Sequence, residues 1–469
     1  MSSHAASPYT TRPSPSSPHS SGVGSTPPGA EGFRHGVRSR RSSFDGYSNQ
    51  GRPERNVDKI PGLSYYRDAV SILGDFADSN ELTSAQARLL AGLYKGQLGR
   101  VAESWSWIQQ ASRTCLYRIK VDGVEEKIQN KKEIPSSKTR LLWVYWTCLQ
   151  LESDIVAELD YKHSGLSDYE KRLPVPLAML NDENDLTRFN DSDTVMAFYF
   201  AQIFLRKRLN QVHASVYRKH VKNTNYRGLA YALSNHVDII EGFRGLGSQL
   251  IRWSDDEEPA EDILRARLRA KYYGARYVTS RPFLDYALHI MPHIGTDHQE
   301  DELERLAKDA HGRTRTSDLP LIKAVHFLRI YSGGDQMIKE QVRECIEAAF
   351  RSTTAFDKVP DRLIVTNIMG TAHAQFGNML VLAATHASSE PWLQALVTRG
   401  RFEPILARTI KFLRSLVAIS KTAEQDVGVL EHIQQALGFT TTPRDDGYTN
   451  DTQMRTSTGG PYGSFTSDY

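Results

Sequence analysis

The chain has 469 residues, with 58 Lys and Arg against 55 Asp and Glu, a formal net charge of +3. So small an imbalance excludes any argument from bulk electrostatics for nucleic acid or an anionic membrane surface. Apolar residues at 39% and charged residues at 24% fit a soluble globular chain with polar ends, long enough for one large domain or two. The three cysteines, Cys115, Cys148 and Cys345, lie far apart in apolar helical patterns. That predicts buried, reduced thiols in cytosol or nucleus. The N-terminus has no apolar signal core. The longest apolar run, near Leu141 to Leu151, is about half of what a bilayer span requires.

Residues 1–58 are rich in Ser, Pro and Gly and nearly lack aliphatic side chains; such a segment cannot bury enough surface to offset its chain entropy and reads as a disordered tail. Within it, Arg38, Arg40 and Arg41 precede Ser42 and Ser43. The simpler reading is a charged patch; the sharper one is an import signal or a basophilic phosphorylation site. Pro61-Gly62 opens the folded part, residues 59–437. Tyr66, Ala69, Val70, Leu73 and Phe76 recur at helical spacing, and Asn80 closes that helix. Thr83 and Gln86 suggest a capping box for a second helix with Ala87, Leu90, Ala91, Tyr94 and Leu98 inward. A third carries Val101, Trp105, Ile108, Ala111, Cys115 and Ile119.

Residues 122–138 are polar and read as a loop. The next helix, from about Lys138 to Leu159, is apolar on two sides and therefore central. Gly165, Pro174 and Pro176 break the following stretch, and residues 181–193 are acidic and irregular. Helical spacing resumes over about 194–217 and 227–250. Asp255-Asp256-Glu257-Glu258-Pro259 then suits the positive end of a helix running to Ser280, with Pro282 restarting or kinking it. After a charged loop over 292–317, helices are expected near 319–331, 336–353, 361–388, 391–399 and 403–437. Residues 438–469 are polar and Gly-rich, a second disordered tail. The fold class is all-α.

Few residues suggest chemistry. Glu152 falls within the apolar stripe Leu142, Tyr145, Leu149, Val156. A carboxylate there needs a partner or keeps its proton; a buried pair with an arginine is the plain reading, a switchable regulatory site the other. The acidic run at 255–258 resembles the aspartate-rich magnesium motif of terpene synthases, but no second metal motif lies downstream. Gly92, Gly96 and Gly99 lack the Lys-Ser or Lys-Thr of a phosphate loop and suit close helix packing. His289 and His293 have no third ligand. Arg265, Arg267, Arg269, Lys271 and Arg276 make one helix basic. It reads as solvated or acid-paired, with a phosphate-binding surface as the alternative. No catalytic constellation emerges, so no enzyme activity and no cofactor are expected.

Three patches in order carry a resemblance. The first is Leu89-Leu90-Ala91-Gly92-Leu93-Tyr94 with Gly96-Gln97-Leu98, then Ser104-Trp105-Ser106-Trp107-Ile108. The second is Arg140-Leu141-Leu142-Trp143 with Leu151-Glu152-Ser153-Asp154, Ser164-Gly165-Leu166 and Leu173-Pro174-Val175-Pro176. The third is Arg267-Leu268-Arg269-Ala270-Lys271-Tyr272-Tyr273 with Arg281-Pro282-Phe283-Leu284. From about Pro61 to Leu437 the chain resembles the fungal-specific transcription factor domain, the helical regulatory region of fungal zinc-cluster transcription factors. The resemblance implies a nuclear transcription regulator. Its partners would be the transcription machinery or other transcription factors, with a small-molecule effector open. The family's six cysteines are missing from residues 1–114. Promoter DNA would be reached only through an upstream cluster, the sole source of zinc, or through a partner. No membrane partner is implied. A helical scaffold or protein-interaction module is the alternative, although no second copy of a repeat of about 34 residues is visible. A helical enzyme acting on a prenyl substrate is the third reading.

Overall fold

A computed structural model of the protein describes residues 60–130, 136–159, 161–175, 191–217, 225–246, 251–295, 300–307, 319–360 and 363–439. Contacts divide the chain into Met1–Lys59 and Ile60–Tyr469, and every described residue belongs to the second unit. The expectations for the patch at Arg38–Ser43, for the acidic loop before Asp191 and for the C-terminal tail lie outside the described residues. Among the described residues there are helices and no strands. No described helix is long and apolar enough to cross a membrane.

The first layer consists of α1 (Leu63–Asp75), α2 (Leu82–Gln97) and α3 (Val101–Val121). The capping box does not form: α2 starts at Leu82, one residue before Thr83. Its inward face is also shifted from the expected one. Ala85, Arg88, Leu89, Ala91, Gly92 and Gly96 are buried, while Leu90 is exposed. The glycines explain the shift, because they let α2 approach its neighbours backbone to backbone. A Cβ on Gly92 would lie 3.1 Å from Ile108 and 3.3 Å from the Ser104 carbonyl oxygen, and one on Gly96 3.3 Å from the Thr366 carbonyl oxygen. Ser104 Oγ donates to the Gly92 carbonyl at 2.7 Å. Arg88 is buried because its guanidinium closes the end of α1, donating to the carbonyls of Phe76, Ala77 and Ser79 and to Thr114 Oγ1 at 3.0–3.2 Å. Those carbonyls belong to the C-cap of α1 and to the turn that follows it.

The expected loop at 122–138 holds a short helix, α4 (Val124–Gln129). Its polar sequence hid it, since only Val124 is buried. Central helix α5 (Ser136–Val156) is enclosed on both sides as expected: Leu141, Leu142, Tyr145, Trp146, Cys148 and Leu149 are all buried. The chain leaving α5 folds back along it. Tyr145 Oη donates to the Leu166 carbonyl at 3.0 Å, and Trp146 Nε1 to the Pro174 carbonyl at 2.9 Å. All three cysteines are buried and free, and burial pushes the Cys345 thiol up to about 12.

Helix α6 (Asp191–Val212) ends in a π-helical turn, His213–Tyr217, followed by α7 (Tyr226–Leu246) and the long α8 (Ile263–His289). One expectation about α8 fails. The acidic run is not its first turn: Asp262 is the N-cap, its side chain accepting from Arg265 N at 2.9 Å. Pro282 lies inside the helix and does not restart it. A proline leaves the carbonyl four residues earlier without its helical donor. Here that carbonyl, Val278 O, accepts from Tyr217 Oη at 2.6 Å, so the π turn supplies what Pro282 removes.

Beyond α8, α9 (Glu300–Leu306) interrupts the expected charged loop. Then come α10 (Leu319–Leu328), a π turn (Arg329–Gly333), α11 (Gly334–Thr354), α12 (Ile368–His386), α13 (Pro391–Gln394), α14 (Arg399–Arg414) and α15 (Lys421–Ala436). The single helix expected over 403–437 is two, because Ser420 caps α15 by accepting from Ala423 N at 3.2 Å. The largest apolar core joins α7, the second half of α8 and α10 to α15. A second core lies around α2, α3 and α5, and a third joins α6, α7 and the first half of α8.

Candidate functional site

A cluster of charged side chains lies where α5, α6 and α8 meet. Each helix contributes one charged side chain at a position otherwise used for packing. Asp154 follows the buried Ser153 on α5, and Arg206 sits on α6 beside buried Leu205. Lys271 precedes buried Tyr272 and Tyr273 on α8. Arg206 Nη2 is in tight contact with Asp154 Oδ1, and Lys271 Nζ reaches the same oxygen at 3.7 Å. One carboxylate oxygen therefore serves two cations. Arg267 lies one turn before Lys271 on the same face of α8; it is half-buried and bonds no acid among the described residues.

Exposure grades across this junction. The Arg206 side chain is 7% exposed, those of Lys271 and Asp154 17% and 19%. Arg206 is the floor; the other two lie nearer solvent. Arg206 Nε is buried with no hydrogen-bond partner. Burial lowers the Arg206 guanidinium to about 10, so it stays charged at neutral pH. Burial, with Arg206 and Arg267 adding repulsion, holds the Lys271 ammonium well below its ordinary range. His213, in the π turn after α6, is lowered to about 4 by burial and by Arg206 and Arg281. On its inner side Asp154 borders a cavity with room for about one water, lined also by Gly96, Ser104, Ile155, Thr366 and Asn367. Asn210 Nδ2 donates to Ser153 Oγ at 3.1 Å, tying α6 to α5 beside the charges.

Glu152 lies on α5 next to this cluster and is buried. The arginine expected opposite it is not there. Glu152 instead accepts from the Ser164 backbone N–H at 2.6 Å and from Ser164 Oγ at 2.5 Å, with His163 Nδ1 at 3.6 Å from Oε1. Two hydrogen bonds to one residue make Glu152 a staple between α5 and its return segment. Such local partners are hard to read in sequence, because Ser164 lies beyond a helix end whose direction the sequence leaves open.

The acidic run is accounted for by basic and hydroxyl partners. Asp255 Oδ1 accepts from Tyr273 Oη at 3.0 Å and pairs with Arg351 Nη1 at 2.5 Å. Glu257 is in tight contact with Arg269 Nη2, whose Nη1 donates to the Glu258 carbonyl at 2.7 Å. Trp253 Nε1 donates to Tyr273 Oη at 2.9 Å. The run is thus a latch holding the loop before α8 against α8 and α11. Among the described residues no group of three or more His, Cys, Asp or Glu could hold a metal; His289 instead lies 3.7 Å from Asp285.

Of the basic residues singled out on α8, Arg269 and Arg276 are matched by acids, Arg276 by Glu344 in tight contact and by Glu241 at 3.7 Å. Lys271 shares with Arg206 the one oxygen of Asp154, and Arg267 bonds no acid among the described residues. Sequence reasoning missed Arg206, Asp154 and His213. The only available signal was a lone arginine in the otherwise apolar face of α6. No family model, curated protein or solved structure matches this chain.

Proposed function

We propose that the chain is a transcription regulator in which the helical body, residues 59–437, is the regulatory domain. The observation supporting this reading is where the three resembling patches fall. They occupy α2 with α3, α5 with its return segment, and α8. Within the second patch Glu152 holds Ser164, and Tyr145 and Trp146, between its first two segments, hold Leu166 and Pro174. Between the second and third, Asp154 meets Lys271. The patches are therefore the contacts that set the helical frame, as residues shared across a regulatory domain family would be.

On this reading the chain works in the nucleus, through transcription machinery or partner transcription factors, and reaches promoter DNA through a partner or an upstream cluster. Residues 60–469 fused to an unrelated DNA-binding domain should change the output of a matching reporter. Good expression with no change in output in either direction would sink the reading.

A further inference from the structure

We propose that the junction of α5, α6 and α8 binds a small oxyanion bearing a phosphoryl group, held by Arg206, Arg267 and Lys271. Three cations lie along two facing helices, and the carboxylate of Asp154 is the acid they share. A buried positive charge without a counter-charge is costly. Evolution can remove the cost by replacing the cation or by matching it with an acid, as the latch at Asp255–Glu258 does for Arg269 and Arg351. Here a single carboxylate oxygen answers both Arg206 and Lys271, and Arg267 bonds no acid among the described residues.

A phosphoryl group supplies what the cluster lacks. Its oxygens can accept from guanidinium forks and an ammonium together. The Nε of Arg206, buried and without a partner, is a donor already turned away from water. The inner cavity beside Asp154 has room for about one water only. The anion must therefore sit on the outer side, where Arg267 and Lys271 are partly exposed. Asp154 then has a positioning role: it fixes Arg206 while repelling an anion from the inner side.

The proposal concerns binding and stands apart from the transcriptional reading, so a failed reporter assay leaves it intact and the reverse. The test uses the full chain, titrated with inorganic phosphate and, separately, with glycerol phosphate. Ionic strength is held constant with chloride, and both thermal unfolding and calorimetric heat are read. The expected result is a saturable rise in melting temperature with measurable heat. In Arg267→Gln and Lys271→Gln the half-saturating concentration should rise about tenfold or more. Lys358→Gln, a half-exposed cation paired elsewhere with Glu258, should leave it unchanged. Tighter binding of glycerol phosphate than of phosphate would mark a phosphomonoester site; equal binding would mark a free-phosphate site. Absence of a saturable response in the native chain, or a response that Arg267→Gln and Lys358→Gln alter equally, would overturn the proposal. Arg206→Lys, which keeps the charge and loses the fork, provides a check that does not remove the buried cation.

Discussion

Helix α8 passes through two electrostatic environments within a few turns. Toward its N-terminus, Arg269 meets Glu257, and the latch around Tyr273 gives Arg351 both Asp255 and Glu347. On another face, Lys271, with Arg267 one turn before it, reaches the carboxylate of Asp154 that Arg206 already holds. The same helix is thus acid-matched on one side and cation-rich on the other. Charge composition alone does not set the character of a basic helix; the carboxylates brought by neighbouring helices do. Redundancy differs as well. Arg351 has two acids, whereas Arg206 and Lys271 share one carboxylate oxygen.

That difference sets the size of the expected effects. Asp154→Asn should be the most damaging, because it strands a guanidinium that is 7% exposed; about 3–5 kcal/mol of unfolding free energy should be lost in urea titrations. Adding Arg206→Met should recover much of that loss. If the single change costs no more than a surface substitution, the junction is better solvated than its burial implies.

Tyr217→Phe should come next, at about 1–3 kcal/mol. It removes the donor to Val278 O that stands in for the one Pro282 cannot provide. A double change with Pro282→Ala should cost less than the sum, since alanine restores the backbone donor; additive losses would refute the compensation.

His213 adds a pH signature to the cation-rich side. Its folded value, about 4, lies below the ordinary 6.5. Between these values the unfolded chain binds a proton that the folded one does not, so stability falls as pH drops from 6.5 toward 4. The full shift corresponds to about 3 kcal/mol, and partial contact of the ring with solvent reduces this to about 1–2 kcal/mol. His213→Asn should flatten that stretch of the stability profile, while the charges facing it, Arg206 and Arg281, are left in place. An unchanged slope would place the titration elsewhere.

The smallest effect should come from the matched side. Tyr273→Phe removes the bonds that this hydroxyl makes with Asp255, Trp253 and Arg351, but Arg351 still holds the carboxylate, so a loss of about 1–1.5 kcal/mol is expected. A loss as large as that of Asp154→Asn would erase the contrast between the two faces.

Parts of this were legible in advance. The all-helical class, the central place of α5 and the burial of the cysteines follow from spacing and composition, because a helix apolar on two sides has to be enclosed. Gly92 and Gly96 were legible as close-packing residues. The face that α2 turns inward was not, since the glycines that govern it carry no hydrophobic signal. Glu152 could be named as a buried carboxylate from its stripe, but its partner could not. Arginine was the reasonable expectation and a serine on the returning segment was the outcome. The acidic run suggested a helix start and became a loop latch, because Asp262, three residues beyond Pro259, took the capping role.

The sequence by itself determined the long helices and much of what they bury, because both depend on neighbours three and four positions away. Tertiary structure alone decided which charges are matched. Arg206 and Lys271 lie 65 positions apart yet share an oxygen of Asp154. Whether a buried cation finds an acid depends on helices brought together by apolar faces that carry no record of charge.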